Sequence, residues 1–237
     1  MYQFDSRVRY SEVNSEQQLM ISSMLDYLQD CCTFQSEDMG LGVDYLKREQ
    51  VAWVLSSWEI EILRYPKMGE RIQVGTWPSE FKGFYGSRNF LMKNENEEVL
   101  AKANSLWVFM DTEKMRPTRV NDTFVERYGS VIEPPLEGNW SERKITVPKE
   151  ATAMEPVQVA KFFIDTNHHM NNGKYVLVAE EYLPEDFMVG RLRVEYKKAA
   201  VLGDVLYPAV TVKEDVVTVV LADEEGRTYA IVQFMKQ

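Results

Sequence analysis

This chain reads as two copies of one pattern. "SSMLDYLQD" (22–30) and "LVAEEYLPE" (177–185) share a Tyr-Leu pair, Tyr27-Leu28 and Tyr182-Leu183, at an offset of 155. "EIEILRYPKMGERIQV" (59–74) and "RVEYKKAAVLGDVLYP" (193–208) share a glycine and an acid, Gly69-Glu70 and Gly203-Asp204, at an offset of 134. Each copy presents a short strand, then a helix, then several strands. The offsets differ by 21 residues, so the first copy has the longer connection after its helix, filled by "DMGLGVDYLKREQVAWVL".

The first copy's strands are expected near 51–63, 70–81, 84–94 and 98–111, ended by "YPKMGE", "FKGFYG" and "KNENEE". Those of the second are expected near 190–198, 204–213, 215–222 and 228–236. Apolar and charged residues alternate in "RLRVEYK", as a half-buried strand requires. Prolines, glycines and charges in "GSVIEPPLEGNWSERKITVPKE" mark 122–157 as a linker, which is long for a loop inside one domain. The expected division is 1–121, linker 122–157, and 158–237. A helix followed by antiparallel strands is an α+β unit. One helix wrapped by a curved sheet, made twice, satisfies the pattern. Two such sheets can join edge to edge within one chain, which removes two exposed edges.

Both histidines of the chain, His168 and His169, fall in "FFIDTNHHMNNGKY" (162–175). "VAKFFI" (159–164) reads as the short first strand and "GKYVLVAEEYL" (173–183) as helix, so the polar residues lie where a strand gives way to a helix start. Helix starts offer backbone N–H groups without intrahelical partners and favour anionic oxygen. The amides near Met170 and Asn171 are the expected oxyanion donors, with Asn171 and Asn172 serving the helix start. In an extended stretch Asp165, Asn167 and His169 would share one face. A carboxylate, an amide and an imidazole so placed can activate water and return a proton to a leaving group. His168 is out of phase and reads as a bystander. The competing reading is a polar capped turn with no chemistry. At an offset of 155 the first copy places Tyr10, Glu12 and Asn14 opposite the three residues, with no histidine. One active and one supporting half is the expectation.

Composition narrows the classes. With 45% hydrophobic and 12% aromatic residues among 237, the chain can bury a sizeable core. No apolar run reaches a membrane span, and the first residues lack the layout of a signal peptide. A soluble protein of the cytoplasm is expected. A net charge of −10 argues against nucleic acid as a partner. Cys31 and Cys32, adjacent in sequence, give no disulfide framework and no metal spacing, and read as small buried helix residues. No metal site or cofactor is expected. No G-x-S-x-G element or phosphate loop is present.

"DTNHHMNN" fits the D-x-N-x-H-x-N-N signature of the acyl-acyl-carrier-protein thioesterases. "VRYSEVNSEQQLMISSMLDYLQDC" resembles that family's opening strand and helix, "WVLSSWEIEILRYPKMGERIQVGTWP" its first-half strands, and "ANSLWVFMDTEKMRP" the strand that follows. The resemblance covers roughly residues 5–235. It implies a double hot dog fold and hydrolysis of the thioester between a fatty acyl chain and the phosphopantetheine arm of acyl carrier protein. Catalytic roles then fall on Asp165, Asn167 and His169. Plant members carry a glutamate and a cysteine after an aromatic-basic-basic run. Here the run is "EYKKAA", with Ala199 and Ala200 at those positions. Glu195 stands four residues from Ala199 and is a poor substitute.

Trp53 and Trp58 are candidates for an acyl slot, against a reading as ordinary core aromatics. "EKMRPTR" (113–119) and Lys197-Lys198 are candidates for docking an acidic carrier protein, against a reading as solvated surface. A homodimer is a further expected association. Competing functions are an acyl-CoA thioesterase or hydratase on the same fold, and a non-catalytic acyl-binding protein.

Overall fold

The alternation that marks the strands is realised in both copies. The computed structural model describes residues 1–129 and 131–237. They form two units, Met1–Ser56 with Ile62–Trp140, and Ser57–Glu61 with Ser141–Gln237.

The first unit contains β1 (Tyr2–Arg7), α1 (Ile21–Asp38), α2 (Val43–Arg48), β2 (Val51–Ile62) apart from Ser57–Glu61, β3 (Arg71–Lys82), β4 (Tyr85–Asn94), β5 (Val99–Asp111), β6 (Arg116–Pro117) and α3 (Asp122–Gly129). The four expected strands thus lie within about a residue of their positions. Strand order is β1-β3-β4-β5-β2, and the register of β1, β3, β4 and β5 is antiparallel. On α1, Met24, Leu25, Leu28, Cys31, Cys32 and Gln35 are buried, the three-and-four spacing of one helix face. α1 ends before Gly40, whose φ of +67° suits a residue without a Cβ. A second apolar cluster joins Leu41, Phe109, Val120, Phe124 and Tyr128, with Trp53 and Phe81 packed against it.

The second unit contains β7 (Thr152–Ala153), β8 (Val157–Gln158), α4 (Asn172–Glu180), β9 (Val189–Tyr196), β10 (Val205–Lys213), β11 (Val216–Ala222) and β12 (Thr228–Lys236). Its sheet runs from Ser57–Glu61 of β2 through β9, β12, β11 and β10 to β7. The Ser57–Glu61 segment pairs antiparallel with β9, Ser57 opposite Glu195 and Glu61 opposite Arg191.

Three expectations change. "VAKFFI" is not a strand. Pairing of β8 with β10 stops at Gln158, and Phe163 N–H turns back onto Ala160 O at 3.0 Å in a short 3-10 helix, Lys161–Phe163. The helices also set a different repeat register. α1 starts at Ile21 and α4 at Asn172, an offset of 151 rather than 155. Tyr27-Leu28 lies inside α1, whereas Tyr182-Leu183 follows α4, so their match is fortuitous. The offset of 134 holds in the turns. Gly69 and Gly203 take φ of +80° and +91°. Gly69 N–H bonds Val8 O at 2.9 Å, and Gly203 N–H bonds Val159 O at 3.1 Å.

The third concerns the segment read as a linker. It carries α3, with Phe124 and Tyr128 buried, and then a strap anchored on buried polar strand residues. Ser130, within it, lies outside the described residues. In the first unit, Trp77 Nε1–H bonds Pro134 O at 3.0 Å and Leu136 N–H bonds Asn89 Oδ1 at 3.1 Å. In the second, Glu59 accepts Ser141 N–H at 2.8 Å and Ser141 Oγ–H at 2.9 Å, and Glu195 accepts Ile145 N–H at 3.1 Å. Thr211 Oγ1–H bonds Glu150 O at 2.6 Å.

Candidate active site

Residues 164–170 form a tight turn, not an extended stretch. Ile164 bridges Met170. Asp165 N–H bonds His169 O at 2.8 Å, and His168 N–H bonds Asp165 O at 3.1 Å. Asp165 Oδ1 accepts the N–H of Asn167 at 2.8 Å and of His169 at 3.3 Å. This is an Asx-type turn, closed by the carboxylate of its first residue. The alternating face expected of Asp165, Asn167 and His169 therefore does not exist. The turn brings Asp165 and His169 opposite one another instead, with Asn167 exposed at its tip. Asp165 and His169 are half-buried. His168 is exposed and takes φ of +62°, so the apparent bystander occupies the turn's left-handed position.

The first copy contains the same turn. Val13 bridges Leu19. Asn14 N–H bonds Gln18 O at 2.9 Å, and Gln17 N–H bonds Asn14 O at 3.0 Å. Asn14 Oδ1 accepts the N–H of Glu16 and of Gln18, each at 3.0 Å. Gln17 takes φ of +59°. At the offset of 151, Asp165 stands opposite Asn14, Asn167 opposite Glu16 and His169 opposite Gln18. The polar pattern therefore recurs, contrary to the reading at 155. What differs is the chemistry carried by a shared scaffold: carboxylate for amide at the first position, imidazole for amide at the fifth.

The helix-start amides are already used. Met170 N–H bonds Ala200 O and Asn171 N–H bonds Phe163 O, both at 2.8 Å. Asn171 Oδ1 caps α4 by accepting Gly173 N–H at 2.8 Å. The amides of Met170 and Asn171 are therefore not oxyanion donors, and the expectation fails because the turn's own fold consumes them. The first copy spends its amides identically, with Leu19 N–H on Pro66 O at 2.8 Å and Met20 N–H on Glu12 O at 2.9 Å.

Ala199 is exposed and Ala200 fully buried. The carboxylates flanking them in sequence are committed elsewhere. Glu195 is buried and accepts Lys197 Nζ–H at 2.9 Å as well as Ile145 N–H. Burial works against its charge, but these two bonds hold its carboxyl below the ordinary value. Asp204 Oδ2 accepts Val201 N–H and Tyr229 Oη–H, each at 3.0 Å.

Tyr175, which sequence reasoning passed over, and Tyr196, the aromatic of the run "EYKK", complete the surroundings. Tyr175, on α4 and 2% exposed, accepts Ala200 N–H on its hydroxyl at 2.8 Å. Tyr196 Oη–H bonds Asn172 O at 2.9 Å, and the two rings meet edge to face. Burial pushes the Tyr175 phenol up to about 12, opposed by the Ala200 bond and reinforced by Tyr229, Asp204 and Asp165. Tyr175 is thus neutral at working pH.

Of the remaining candidates, the aromatics and cysteines are packed and the basic residues of 113–119 and 197–198 are exposed. Trp53 meets Phe81 and Phe109 at tilted angles and Phe124 edge to face, and Trp58 is 2% exposed. Trp58 is a core aromatic, and Trp53 is partly buried against the Leu41, Phe109, Val120, Phe124 and Tyr128 cluster. Cys31 and Cys32 are buried on α1, and burial pushes the Cys31 thiol up to about 12 and raises that of Cys32, which removes the thiolate a nucleophile needs. Lys197 pairs with Glu195, Lys198 with Asp223, and Lys114 with Asp111.

Residues 1–128 match the model of the acyl-ACP thioesterase N-terminal domain, and residues 146–233 that of the C-terminal domain. The chain belongs to the acyl-ACP thioesterase family. It is 24% identical over 229 residues to the oleoyl-acyl carrier protein thioesterase 1 of Arabidopsis thaliana, covering 88% of this chain and 63% of that relative. It spans about half the length of other curated relatives it matches. Two solved structures share its fold. An acyl-ACP thioesterase from Bacteroides thetaiotaomicron superposes with a TM-score of 0.88 at 20% identity, covering 99% of this chain and 97% of the other. The 12:0-ACP thioesterase of Umbellularia californica gives 0.88 at 19% identity, covering 100% and 98%. The hot dog fold expected from the resemblance is therefore the fold of this acyl-ACP thioesterase family member. No helix among the described residues is long and apolar enough to cross a membrane.

Proposed function

We propose that this protein hydrolyses the thioester of fatty acyl-acyl carrier protein, releasing free fatty acid and ending chain elongation. The observation that carries the reading is the contrast between the two turns. One scaffold is built twice, and only the copy at 158–237 arms it with Asp165 and His169. Family membership and the names of the curated relatives support the same substrate class. A cytoplasmic location belongs to the same proposal.

Chemically, water adds to the thioester carbonyl, a tetrahedral oxyanion forms, and the C–S bond breaks. Asp165 or His169 takes the proton of the water. In the alternative, Asp165 itself attacks the carbonyl, departure of the thiolate leaves an acyl-aspartyl anhydride, and water then hydrolyses that anhydride to release the fatty acid and restore the carboxylate. His169 then returns a proton to the departing phosphopantetheine thiolate. With the amides of Met170 and Asn171 committed, the exposed side-chain amide of Asn167 is a donor placed to orient the reacting groups.

The test is turnover of acyl-acyl carrier protein, acyl-CoA and enoyl thioesters by the purified chain and by His169→Ala. The expected outcome is hydrolysis that favours the carrier-protein substrate and falls by about 10²–10⁴-fold in the variant. Equal or better turnover of acyl-CoA would move the reading to an acyl-CoA thioesterase, and binding without hydrolysis to an acyl-binding protein.

A further inference from the structure

We propose that Tyr175 is a positioning residue for the turn that carries Asp165 and His169, acting through the backbone of Ala200. This inference rests on the catalytic reading of the turn given above.

A relay of hydrogen bonds joins the phenol to the turn. Ala200 N–H bonds Tyr175 Oη at 2.8 Å. Ala200 O accepts Met170 N–H at 2.8 Å, and His169 O, on the preceding residue, accepts Asp165 N–H at 2.8 Å. Tyr175 and Ala200 are both buried. An unpaired Ala200 N–H would have no solvent to turn to, and such groups are costly. The phenol therefore fixes the 199–201 segment, and that segment fixes the turn.

The first copy supplies the comparison. The residue equivalent to Ala200, at the offset of 134, is Pro66, which has no N–H. The residue equivalent to Tyr175, at the offset of 151, is Met24, which has no hydroxyl and lies fully buried. Pro66 O still accepts Leu19 N–H at 2.8 Å. Both halves of the Tyr175–Ala200 bond are thus missing together from the copy without the carboxylate and imidazole. The pair is a feature of the armed turn, not of the fold.

The phenol is not a base, since it stays protonated at working pH. It touches no reacting atom in this account. Its loss should act on how the turn is held, and so on turnover more than on substrate binding.

The experiment is a double-mutant cycle on hydrolysis of acyl-acyl carrier protein. Tyr175→Phe removes the acceptor, Ala200→Pro removes the donor, and the double variant, like the first copy, has neither. We expect kcat of Tyr175→Phe to fall about tenfold or more, with KM within about twofold of wild type. Ala200→Pro alone should also lower kcat about tenfold or more, because it breaks the same bond and sets the proline Cδ against the phenol oxygen. The double variant should turn over faster than Tyr175→Phe, because no N–H is left unpaired. If Tyr175→Phe alone does not fold, recovery of a folded, active double variant is the same result. A kcat of Tyr175→Phe within about twofold of wild type overturns the inference, as does a double variant no better than Tyr175→Phe. A purely structural role would lower thermal stability and leave kcat per folded molecule unchanged. His169→Ala, assayed alongside, separates the two layers. If it is inactive while Tyr175→Phe is normal, only this inference fails. If His169→Ala is fully active, the catalytic reading fails and this inference with it.

Discussion

At the last turn of α4, Glu180 carries a partly buried carboxyl. Burial, and then the charge of Glu181, push it up to about 8 from an ordinary 4.5. The native state therefore binds this proton more tightly than the unfolded chain does. The stability contributed by the protonated form is complete below about pH 4.5 and is lost as pH rises through about 8. Glu180→Gln keeps an uncharged side chain at every pH. It should match wild type near pH 4 and exceed it by ~1–3 kcal/mol at pH 9, measured by urea unfolding across that range. A difference independent of pH would contradict the assignment. Glu180 could not be singled out from sequence, because its burial depends on what α4 packs against. His168 shows the same gap. Its identity says imidazole, whereas its place in the turn is set by a φ of +62°.

At the scale of elements, the strands were the most legible part of the chain. Turn residues such as Gly69, Gly203 and "KNENEE" mark where the strands stop, and alternation marks which face is buried. The strap at 131–154 was not legible. Its prolines and charges read as a linker because it is held largely by its own N–H and C=O groups, which leave no side-chain pattern. The signal lay on the strands, where Glu59, Asn89, Glu195 and Thr211 are polar residues at buried positions. Glu59 is the clearest anchor, since it also accepts Arg191 NH1–H at 3.1 Å. Glu59→Ala would remove the acceptor of the Ser141 amide and hydroxyl and one of two carboxylates that Arg191 pairs with, Glu61 at 3.5 Å being the other. The expected cost is ~2–4 kcal/mol in urea unfolding, with faster proteolysis near 141–150. A cost below ~0.5 kcal/mol would show that the strap is held without it.

At the scale of the whole molecule, duplication decides what the sequence can reveal. The repeat announces two helix-and-sheet units, and the motif points to the second. The detailed register between the copies is set by helix starts and turn hydrogen bonds, not by the residues that happen to match. A Tyr-Leu coincidence therefore gave an offset of 155, and the equivalence of Asn14 with Asp165 was hidden. With the offset corrected to 151, the amides that Asp165 accepts are seen to be scaffold, because Asn14 accepts the same ones. The proposed chemistry then rests on what the first copy lacks, the carboxyl group of Asp165 and the imidazole of His169.

That distinction makes Asp165→Asn the most direct measurement. Asparagine keeps the Oδ1 acceptor and already closes the same turn in the first copy. Asp165→Asn should keep a melting temperature within about 2 °C of wild type while kcat on acyl-acyl carrier protein falls about 100-fold or more. An equally stable Asp165→Asn protein with kcat within about threefold of wild type would contradict the catalytic reading of the turn.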